Sequence, residues 1–445
     1  MAKLRVLLVA DACDPEGRAG YLIGWLQAAA LRRLLDVHMV VETASRAPLL
    51  RAGLVEGQDF TVIDATVPKR LRDRLRDAIF GKDSERGWGV WQALTLPAVV
   101  LFEWRVWRRF RASLRRGEYD IVHRLTPISP DQPSVLAARL PATGVPLVVG
   151  PLNGGLPWPP GHRDVRHAEG EWMSYLRGAT RLVPGLTALR ANAAALLLGS
   201  RAMVEANPPR YAAQAIYLPE NGIDPIRFSV ERTRVAALPL QLIYLGRLVP
   251  YKGADLVVAG ARDLLAHGEA TLRIVGSGPL RPALEEQVAA LGLGHAVTFV
   301  GDVDHRQVQQ ELAAADLLCA PSIREFGGAV VMEAMYVGVV PVIVDYGGPP
   351  EYASSDCAFV LPMGSREDIV AAIRAALEKA AADPARLAAM AEAGRERAQG
   401  LFEWDAKARM IAEVYRWVLG DEPTKPDFGM PLSMAATAAL RDQRE

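Results

Sequence analysis

Short, continuously apolar segments alternate with longer amphipathic segments along most of the chain. A continuous apolar run bounded by turn residues is typical of a strand that is buried on both faces of a parallel sheet. The amphipathic segment after each run supplies the helix that returns the chain to the next parallel strand. The alternation therefore predicts an α/β protein, built on mainly parallel sheets that helices cover on both faces.

The amino-terminal half carries the weaker form of this pattern, with a predicted helix over Tyr21–Leu35. Its predicted strands are Arg5–Ala10, Val37–Glu42, Asp120–His123 and Val145–Gly150. The carboxy-terminal half repeats the pattern more clearly. Its predicted strands are Gln241–Gly246, Thr271–Gly276, Val297–Gly301, Leu317–Ala320 and Val340–Val344. The helices predicted between them are Ala254–His267, Leu280–Leu291, Val308–Ala315 and Ala329–Tyr336.

Two such arrays predict two doubly wound, Rossmann-like domains that face a central cleft. The join is expected within the turn-rich segment Ser229–Pro239. We therefore assign residues 1–232 to an amino-terminal domain, 233–402 to a carboxy-terminal domain and 403–445 to a terminal helix with a tail. Ligands of such sheets bind beyond the carboxyl ends of the strands, so the functional site is expected in the cleft.

The composition argues against several classes of protein. Basic and acidic residues are equal at 51 each, so no global electrostatic attraction to nucleic acid is expected. Cys13, Cys319 and Cys357 are too few and too widely spaced for a disulfide framework or a zinc site, which fits a reducing cytoplasm. The first apolar run is interrupted at Asp11, too soon for a signal peptide or a membrane span. We expect a cytoplasmic protein, with peripheral contact at the inner face of a membrane left open.

The segment Ser322–Met335 carries the pattern with the most chemical content. A loop after a predicted strand presents Glu325, and Gly327 and Gly328 then lead into a predicted helix. The glycines allow the backbone to approach a ligand, and the first amides of the helix suit phosphate or sugar oxygens. Glu325 and Glu333 make sense beside an anion if they bind hydroxyls, one on a sugar and one on a ribose. A pair of solvated surface acids is the alternative.

Two cations follow the first predicted strand of the carboxy-terminal half. The strand ends at Gly246, and Arg247 and Lys252 precede the next predicted helix. A guanidinium chelates phosphate oxygens in a bidentate fork and an ammonium adds a compact charge, so together they would neutralise a leaving diphosphate. A helix-entry turn with solvated cations is the alternative.

Two further glycine loops follow predicted strands and carry less information. Gly276-Ser277-Gly278-Pro279 would need a third glycine and a ribose-binding acid about twenty residues on to form a dinucleotide-binding fingerprint, and Pro279 does not suit one. Tyr346-Gly347-Gly348 suits a backbone nest for an anion, and it fits a simple turn equally well.

Taken in order, these segments resemble the family 4 retaining glycosyltransferases. The match runs over roughly residues 195 to 420. It consists of Asn221-Gly222-Ile223-Asp224, Gly246-Arg247 with Lys252-Gly253, Gly276-Ser277-Gly278-Pro279, Glu325 with Glu333, and Gly347-Gly348 with Glu351. The resemblance implies a GT-B fold, a nucleoside-diphosphate sugar as donor and transfer with retained anomeric configuration. One departure is visible, because Phe326 directly follows the first glutamate, where the family has a small residue before Phe-Gly.

The resemblance also implies roles for individual residues. Arg247 and Lys252 would bind the diphosphate, and Glu325 would bind the donor sugar. Glu333 would bind the ribose, and backbone near Val300 would contact the base. The loops would complete the donor site at Gly20, Gly246, Gly276, Phe326, Gly327 and Gly328.

The amino-terminal half resembles the family less closely. The loop that ends at Gly20 is similar to the family's glycine-containing loop near the phosphate and the acceptor, without its usual double glycine. His123 resembles a histidine that faces the donor sugar, although the family places it two residues later, and a buried structural histidine is the alternative. The loop Gly150–Pro160, rich in glycine and proline and with a tryptophan, suits the acceptor side of the cleft. The helix Ala406–Leu419 would cross back to the first domain, as in the family.

Residues 88–116 combine aromatic side chains with arginines. Val99, Phe102, Val106 and Phe110 form an apolar stripe at helical spacing, and arginines line another face. Two interpretations stay open. A basic amphipathic helix would contact an anionic membrane, where lipid-linked acceptors reside. A core-facing helix would instead keep its basic side in solvent.

These observations predict transfer of a sugar to a hydroxyl acceptor, which would be a glycan, a polysaccharide or a lipid-linked saccharide. The candidate catalytic residues are Arg247, Lys252, Glu325 and His123. No cofactor and no metal are expected, because the cations would stabilise the leaving diphosphate and no Asp-x-Asp motif stands where it demands a metal. The alternatives are a sugar-nucleotide epimerase on the same fold, a non-catalytic nucleotide-sugar-binding scaffold and, more distantly, a dinucleotide-dependent oxidoreductase.

Overall fold

Two parallel β-sheets organise the protein. The computed structural model describes residues 3–17, 20–66, 88–130, 132–159, 161–162, 186–230 and 232–441. Within these ranges helices connect most successive strands and cover both faces of each sheet. The predicted α/β architecture of two doubly wound domains is confirmed.

The amino-terminal sheet is formed by short, buried, apolar strands. They are β1 (Arg5–Ala10), β2 (Asp36–Glu42), β3 (Phe60–Ile63), β4 (Ile121–Thr126), β5 (Leu147–Leu152), β6 (Ala195–Leu198) and β7 (Ala215–Tyr217). Their order is β3-β2-β1-β4-β5-β6-β7, and all neighbouring pairs are parallel. The helices are Gly20–Leu34, Arg46–Arg51, Trp88–Arg115, Val135–Arg139, Leu186–Asn192 and Arg201–Ala206, with 3-10 turns at Thr43–Ser45, Leu140–Thr143 and Pro209–Gln214.

The carboxy-terminal sheet repeats this construction. Its strands are β8 (Leu240–Leu245), β9 (Ala270–Val275), β10 (Val297–Gly301), β11 (Leu317–Ala320), β12 (Val340–Val344) and β13 (Phe359–Leu361). They lie in the order β10-β9-β8-β11-β12-β13 and are again parallel. The helices that follow β8 in the chain are Ala254–Gly260, Arg262–Ala266, Arg281–Ala290, His305–Ala313, Ala329–Val337, Pro349–Tyr352, Arg366–Ala382, Pro384–Leu401, Trp404–Leu419 and Ala438–Arg441, with a 3-10 turn at Pro250–Lys252.

The differences from the predicted elements have simple physical causes. The predicted helix Ala254–His267 is divided at Ala261 into two shorter helices. Strands β3, β6, β7 and β13 are not among the predicted strands, and they are only three or four residues long, so their periodic signal is weak.

The chain passes between the two domains at two places, and these two crossings pair with each other. The amide of Ile223 donates to the carbonyl of Phe402 at 2.7 Å, and the amide of Trp404 donates to the carbonyl of Ile223 at 3.1 Å. The helix Trp404–Leu419 then packs against the helix Gly20–Leu34 of the amino-terminal domain. The last long helix therefore belongs to the amino-terminal layer although it follows the carboxy-terminal sheet in sequence.

The helix Trp88–Arg115 uses its apolar stripe to cover the amino-terminal sheet. Val99, Phe102, Val106 and Phe110 are all buried within the core. The core-facing interpretation of this stripe is therefore confirmed. The opposite side of the helix is exposed at Trp104, and the membrane interpretation now concerns only that outer face.

Candidate active site

The candidate site lies where the strand order of the carboxy-terminal sheet reverses. Strands β8 and β11 are neighbours there, and the chain continues from them in opposite directions, toward β9 and toward β12. A switch point of this kind opens a crevice in which parallel α/β sheets bind ligands. The loop after β8 carries Arg247 and Lys252, and the loop after β11 carries Glu325, so two of the predicted motifs meet at this crevice.

Lys252 and Glu325 are in direct contact. The ammonium of Lys252 forms an ion pair with Oε2 of Glu325, and the two side chains are 22% and 19% exposed. The turn after Lys252 depends on Gly253, which has φ of 74°. A Cβ atom at Gly253 would lie 2.8 Å from the carbonyl oxygen of Pro321, so a side chain there would push the β8 loop away from the β11 loop.

Arg247 projects from a loop that is shaped by glycines on the neighbouring strand end. The residue is exposed, and its carbonyl accepts a hydrogen bond from the hydroxyl of Tyr244 at 2.9 Å. Gly276, at the end of β9, has φ of 127°, and a Cβ atom there would lie 2.0 Å from the carbonyl oxygen of Gly246. The motif Gly276–Pro279 thus allows two backbone segments to touch, and in this way it fixes the loop that presents Arg247.

The loop that presents Glu325 rests on the glycines that follow β12. The amide of Gly348 donates to the carbonyl of Glu325 at 2.8 Å. Cβ atoms at Gly347 and Gly348 would lie 2.2 Å and 2.3 Å from the carbonyl oxygens of Glu325 and Phe326. The fourth predicted motif is therefore a close-packing support for the Glu325 loop.

The helix Ala329–Val337 points its amino terminus at the same region. Gly328 is its N-cap residue, has φ of 62° and supplies no capping side chain. The first amides of an α-helix have no partner within the helix, and they carry its positive end. This arrangement offers donors to an anion at the point where Gly327 and Gly328 bring the backbone close.

Glu333 lies one turn further along this helix and is partly exposed. Burial raises the pKa of its carboxyl to about 7 from the ordinary 4.5, and the charge of Arg227 opposes the shift. Glu333 makes no hydrogen bond or ion pair with the residues that the structure describes. A carboxyl held in this way is costly to ionise, and such groups cluster at functional sites.

We expect Glu333→Gln to stabilise the protein at pH 8. A carboxyl with a raised pKa contributes stability below pH 4.5, and this contribution is lost as the pH rises through about 7. At pH 8 the variant should exceed the wild type by about 2 kcal/mol in free energy of unfolding, after a discount for partial exposure. Urea unfolding at pH 5 and pH 8 measures this difference, which should fall to about a quarter of its pH 8 value at the lower pH.

The control for this prediction is Glu378→Gln, on an exposed position of the helix Arg366–Ala382. It removes the same charge from solvent, so its effect should be small and the same at both pH values. An equal gain from both variants at pH 8 would show that net charge, and not burial of Glu333, sets the stability.

The remaining predicted donor contacts lie at two different places. Val300 is at the carboxyl end of β10, beside Gly276, whose amide donates to the carbonyl of Gly301 at 2.8 Å. Gly20 opens the helix Gly20–Leu34, and a Cβ atom there would meet no atom of the described residues within 4 Å. Crowding therefore does not require glycine at position 20, and the contacts of Val300 with a base and of Gly20 with a donor stay predictions.

His123 is not brought to the Lys252–Glu325 group. It lies on β4 with no exposed surface, with its Nε2 2.6 Å from the carbonyl oxygen of Gly150 and its Nδ1 bonded to the hydroxyl of Tyr415. Burial lowers the pKa of the ring to about 4, so it is neutral at pH 7. With both ring nitrogens occupied, His123 joins the amino-terminal sheet to the helix Trp404–Leu419. This geometry favours the structural alternative, and contact of His123 with a donor sugar stays a prediction.

Several polar groups at the domain junction escaped the sequence analysis. Glu220 is buried next to Gly327, with its Oε1 3.2 Å from the position of a Cβ atom there, and burial raises its pKa to about 7. Lys407 is fully buried and donates to the carbonyl of Pro219, and burial lowers its pKa. The only sequence signal for Glu220 is its place before Asn221-Gly222.

A cavity of about 210 Å³ lies between the domains beside the Glu325 loop. Residues of both domains line it, among them Asn153, Ser200, Arg201, Phe326, Gly347 and Glu351. Glu351 ties the domains together, because its carboxylate accepts hydrogen bonds from the amide of Arg201 at 2.8 Å and from the hydroxyl of Tyr217. The candidate site is therefore bounded by both sheets.

Comparison with known proteins agrees with this geometry. Residues 230–397 match the family described as glycosyl transferases group 1. A glycogen synthase of Mycobacterium tuberculosis is 33% identical over 196 residues, which cover 44% of this chain and 47% of that protein. A GDP-mannose-dependent phosphatidylinositol monomannoside mannosyltransferase of the same species is 31% identical over 231 residues, or 48% of this chain and 58% of that one. The chain thus spans about half the length of these relatives.

Solved structures match nearly the whole chain. The sucrose-phosphate synthase of Thermosynechococcus elongatus has a TM-score of 0.59 and 19% sequence identity. The match covers 94% of this chain and 100% of that one. Anabaena HepE, solved with UDP and glucose, covers 92% with a TM-score of 0.55 and 19% identity, over 99% of its own length. Residues 230–397 thus resemble glycosyl transferases group 1, within a chain that has the two-domain GT-B fold.

Proposed function

We propose that the protein is a retaining glycosyltransferase that moves a sugar from a nucleoside-diphosphate sugar to a hydroxyl acceptor. The ion pair between Lys252 and Glu325 in the switch-point crevice carries this proposal. It places a cation for a diphosphate next to an acid for sugar hydroxyls, beside the amino terminus of a helix. The names of the relatives and the UDP bound in one structural neighbour support a nucleotide-sugar donor.

The ion pair also suggests how the donor is received. Lys252 neutralises Glu325 in the structure, and a diphosphate would offer the ammonium a partner of higher charge. As Lys252 turns to the diphosphate, the carboxylate of Glu325 becomes available to accept hydrogen bonds from the sugar hydroxyls. Donor binding would therefore replace the ion pair by two contacts, one between Lys252 and the diphosphate and one between Glu325 and the sugar. Neither charge would be left unpaired in the crevice.

Charge that develops on the leaving diphosphate is the natural target of the groups around it. Arg247, Lys252 and the first amides of the helix Ala329–Val337 would face the diphosphate once the donor is bound, so they would be in place before this charge develops. We propose that these donors make transfer independent of an added metal ion. Among the described residues, no three His, Cys, Asp or Glu side chains lie together as a metal site. Retention would follow if the acceptor attacks from the face that the diphosphate leaves.

The test is a screen of UDP-, GDP- and ADP-sugars in the presence of EDTA. We expect at least one of them to raise the melting temperature of the protein and to be hydrolysed slowly, and we expect the sugar of a transfer product to keep its anomeric configuration. Turnover that appears only after a divalent metal is restored would overturn metal independence. Stabilisation by a dinucleotide and by no nucleotide sugar would overturn the function itself, and interconversion of two nucleotide sugars would point to the epimerase.

The acceptor is proposed to be a glycan or a lipid-linked saccharide, reached at a membrane surface in the cytoplasm. The outer face of the helix Trp88–Arg115 is apolar at Val100 and Trp104, which are 40% and 41% exposed. Arg108 stacks on Trp104 at 4.8 Å, and Arg111 continues the exposed side one turn later. No helix in the described part of the chain is long and apolar enough to span a bilayer. An aromatic residue followed by cations suits contact with anionic lipid headgroups.

We expect the protein to bind vesicles that contain phosphatidylglycerol and not vesicles of phosphatidylcholine alone. Each arginine near an anionic surface contributes about 1 kcal/mol, so the double variant Arg108→Ala with Arg111→Ala should bind roughly 30-fold more weakly. Vesicle sedimentation measures this affinity.

The matched control replaces two exposed arginines of the carboxy-terminal domain, Arg262 and Arg386, by alanine. This variant has the same net charge as the Arg108→Ala, Arg111→Ala variant, and it should bind vesicles like the wild type. Equal loss in both double variants would indicate a general charge effect, and unchanged binding in both would remove the outer face of the helix as the membrane contact.

A further inference from the structure

A loop of the amino-terminal domain contacts the loops that form the candidate donor site. The loop comprises residues 153–158 and follows β5, and it reaches across the cleft to the ends of β8, β11 and β12. The contacts are Asn153 Nδ2 to Phe326 O at 3.4 Å, Tyr346 Oη to Pro157 O at 2.8 Å, and the ring of Trp158 edge-on to the ring of Tyr251 at 6.4 Å. These contacts hold the 153–158 loop against the donor-binding domain.

Arg324, the residue before Glu325, makes several contacts with the 153–158 loop. Its guanidinium lies 4.6 Å from the ring centre of Trp158 and 4.7 Å from that of Phe326, so it stacks on one aromatic ring from each domain. Nη2 and Nε of Arg324 also donate to the carbonyl of Leu156 at 3.1 Å and 3.3 Å. The side chain is buried, and its residue directly precedes Glu325.

The same loop also contacts Gly347, which packs against the backbone of Glu325. A Cβ atom at Gly347 would lie 2.2 Å from the carbonyl oxygen of Glu325 and 2.9 Å from Cδ2 of Leu156. Glu325 and Leu156 therefore both approach Gly347, a position that admits no side chain. A shift of the 153–158 loop removes packing from Gly347, which supports the Glu325 backbone, as well as from Arg324.

We propose that Arg324 is a positioning residue, which places Glu325 for the donor sugar only while the 153–158 loop is seated. The proposal rests on the proposed function, in which Glu325 binds the sugar. A guanidinium suits this task, because its planar face stacks on two rings while its edge donates to a carbonyl. The position of Glu325 then depends on a loop of the other domain, so the acceptor side of the cleft controls how the donor sugar is held.

The first test measures amide hydrogen exchange without added nucleotide. Trp158→Ala removes a ring on the amino-terminal loop, yet we expect exchange to accelerate by about tenfold both at 153–158 and at 325–328. Tyr346→Phe is the control: it loses one exposed hydrogen bond to Pro157 but keeps the contacts of Arg324 with Trp158 and Leu156, so exchange at 325–328 should be unchanged. Faster exchange in the Trp158→Ala variant confined to 153–158 would overturn the coupling.

The second test separates the sugar from the nucleotide. UDP, GDP and ADP are titrated beside UDP-glucose, GDP-mannose and ADP-glucose, and the pair that binds the wild type is followed in each variant. In Arg324→Ala and Trp158→Ala we expect kcat for hydrolysis of the sugar nucleotide to fall by roughly ten- to 100-fold, with the Kd of the free nucleotide within about twofold. Arg324→Lys keeps the charge without the planar stack, so it should recover less than half of the loss.

The outcomes distinguish the two proposals. Equal weakening of nucleotide and nucleotide-sugar binding in Arg324→Ala would show a merely structural residue. Full recovery by Arg324→Lys would show that charge alone matters, and it too would overturn the positioning role. If none of the six compounds binds the wild type, the proposed function fails, while the exchange measurement still decides whether the 153–158 loop and the Glu325 loop are coupled.

Discussion

Lys252→Ala is expected to lower kcat/KM by about 100- to 1,000-fold on the donor that the nucleotide-sugar screen identifies. The ammonium lies in the crevice with less than a quarter of its side chain exposed, so it is held where a diphosphate would arrive. Its loss removes a fixed positive charge from the leaving group and leaves Glu325 without its partner. Steady-state kinetics with the donor varied measures the effect, and most of it should appear in kcat because the diphosphate gains charge in the transition state.

The matched control is Lys379→Ala, an exposed lysine of the same domain on the helix Arg366–Ala382. It changes the net charge equally and should leave kcat/KM unaltered. A variant Lys252→Arg keeps the charge but not the compact ammonium, so intermediate activity is expected. Undiminished turnover in Lys252→Ala would remove the residue from the mechanism and leave Arg247 and the helix amides to stabilise the diphosphate.

The proximity of Lys252 and Glu325 can be predicted from the sequence, because the geometry of parallel sheets imposes it. Both residues follow buried strands, and the carboxyl ends of parallel strands lie at one edge of a sheet. The reversal of strand order between β8 and β11 then makes the two loops neighbours, although 73 residues separate them in the chain. Glycines at 253, 276, 347 and 348 mark the same edge, since backbone segments touch there without room for a side chain.

Contacts between the domains could not be predicted in this way. The stacking of Arg324 between Trp158 and Phe326 depends on how two separately built sheets are placed against each other. No local pattern of apolar residues encodes that placement. His123 shows a related limit, because a central strand of a parallel sheet is buried on both faces and its pattern does not reveal which neighbour a side chain meets. Its partners Tyr415 and Gly150 emerge only from the assembled fold.

The second large effect concerns stability and lies away from the crevice. Arg124, on β4, is fully buried, and its Nε donates to Oε1 of Glu103 at 2.7 Å. Oε2 of Glu103 accepts from the hydroxyl of Ser134 at 2.7 Å and from the amide of Leu136 at 3.1 Å. The pair thus links the helix Trp88–Arg115, which covers the sheet, to the start of the next helix.

Glu103→Ala is expected to reduce the free energy of unfolding by about 3 to 5 kcal/mol, as measured by urea unfolding. The variant leaves the guanidinium of Arg124 buried, without a counter-charge among the described residues, and removes the acceptor for Ser134 and Leu136. Arg273→Ala is the matched control, because its ion pair with Glu311 is 39% and 17% exposed. A partly exposed pair contributes at most about 1 kcal/mol, so the control should remain close to the wild type.

A double variant separates the loss of the ion pair from the cost of burying an isolated charge. Removing both charges, with Glu103→Leu and Arg124→Met together, abolishes the uncompensated guanidinium and fills similar volume with apolar atoms. The double variant should therefore be more stable than Glu103→Ala, even though it lacks one more native side chain. If it is no more stable than Glu103→Ala, the burial of an unpaired charge is not what makes the single variant unstable.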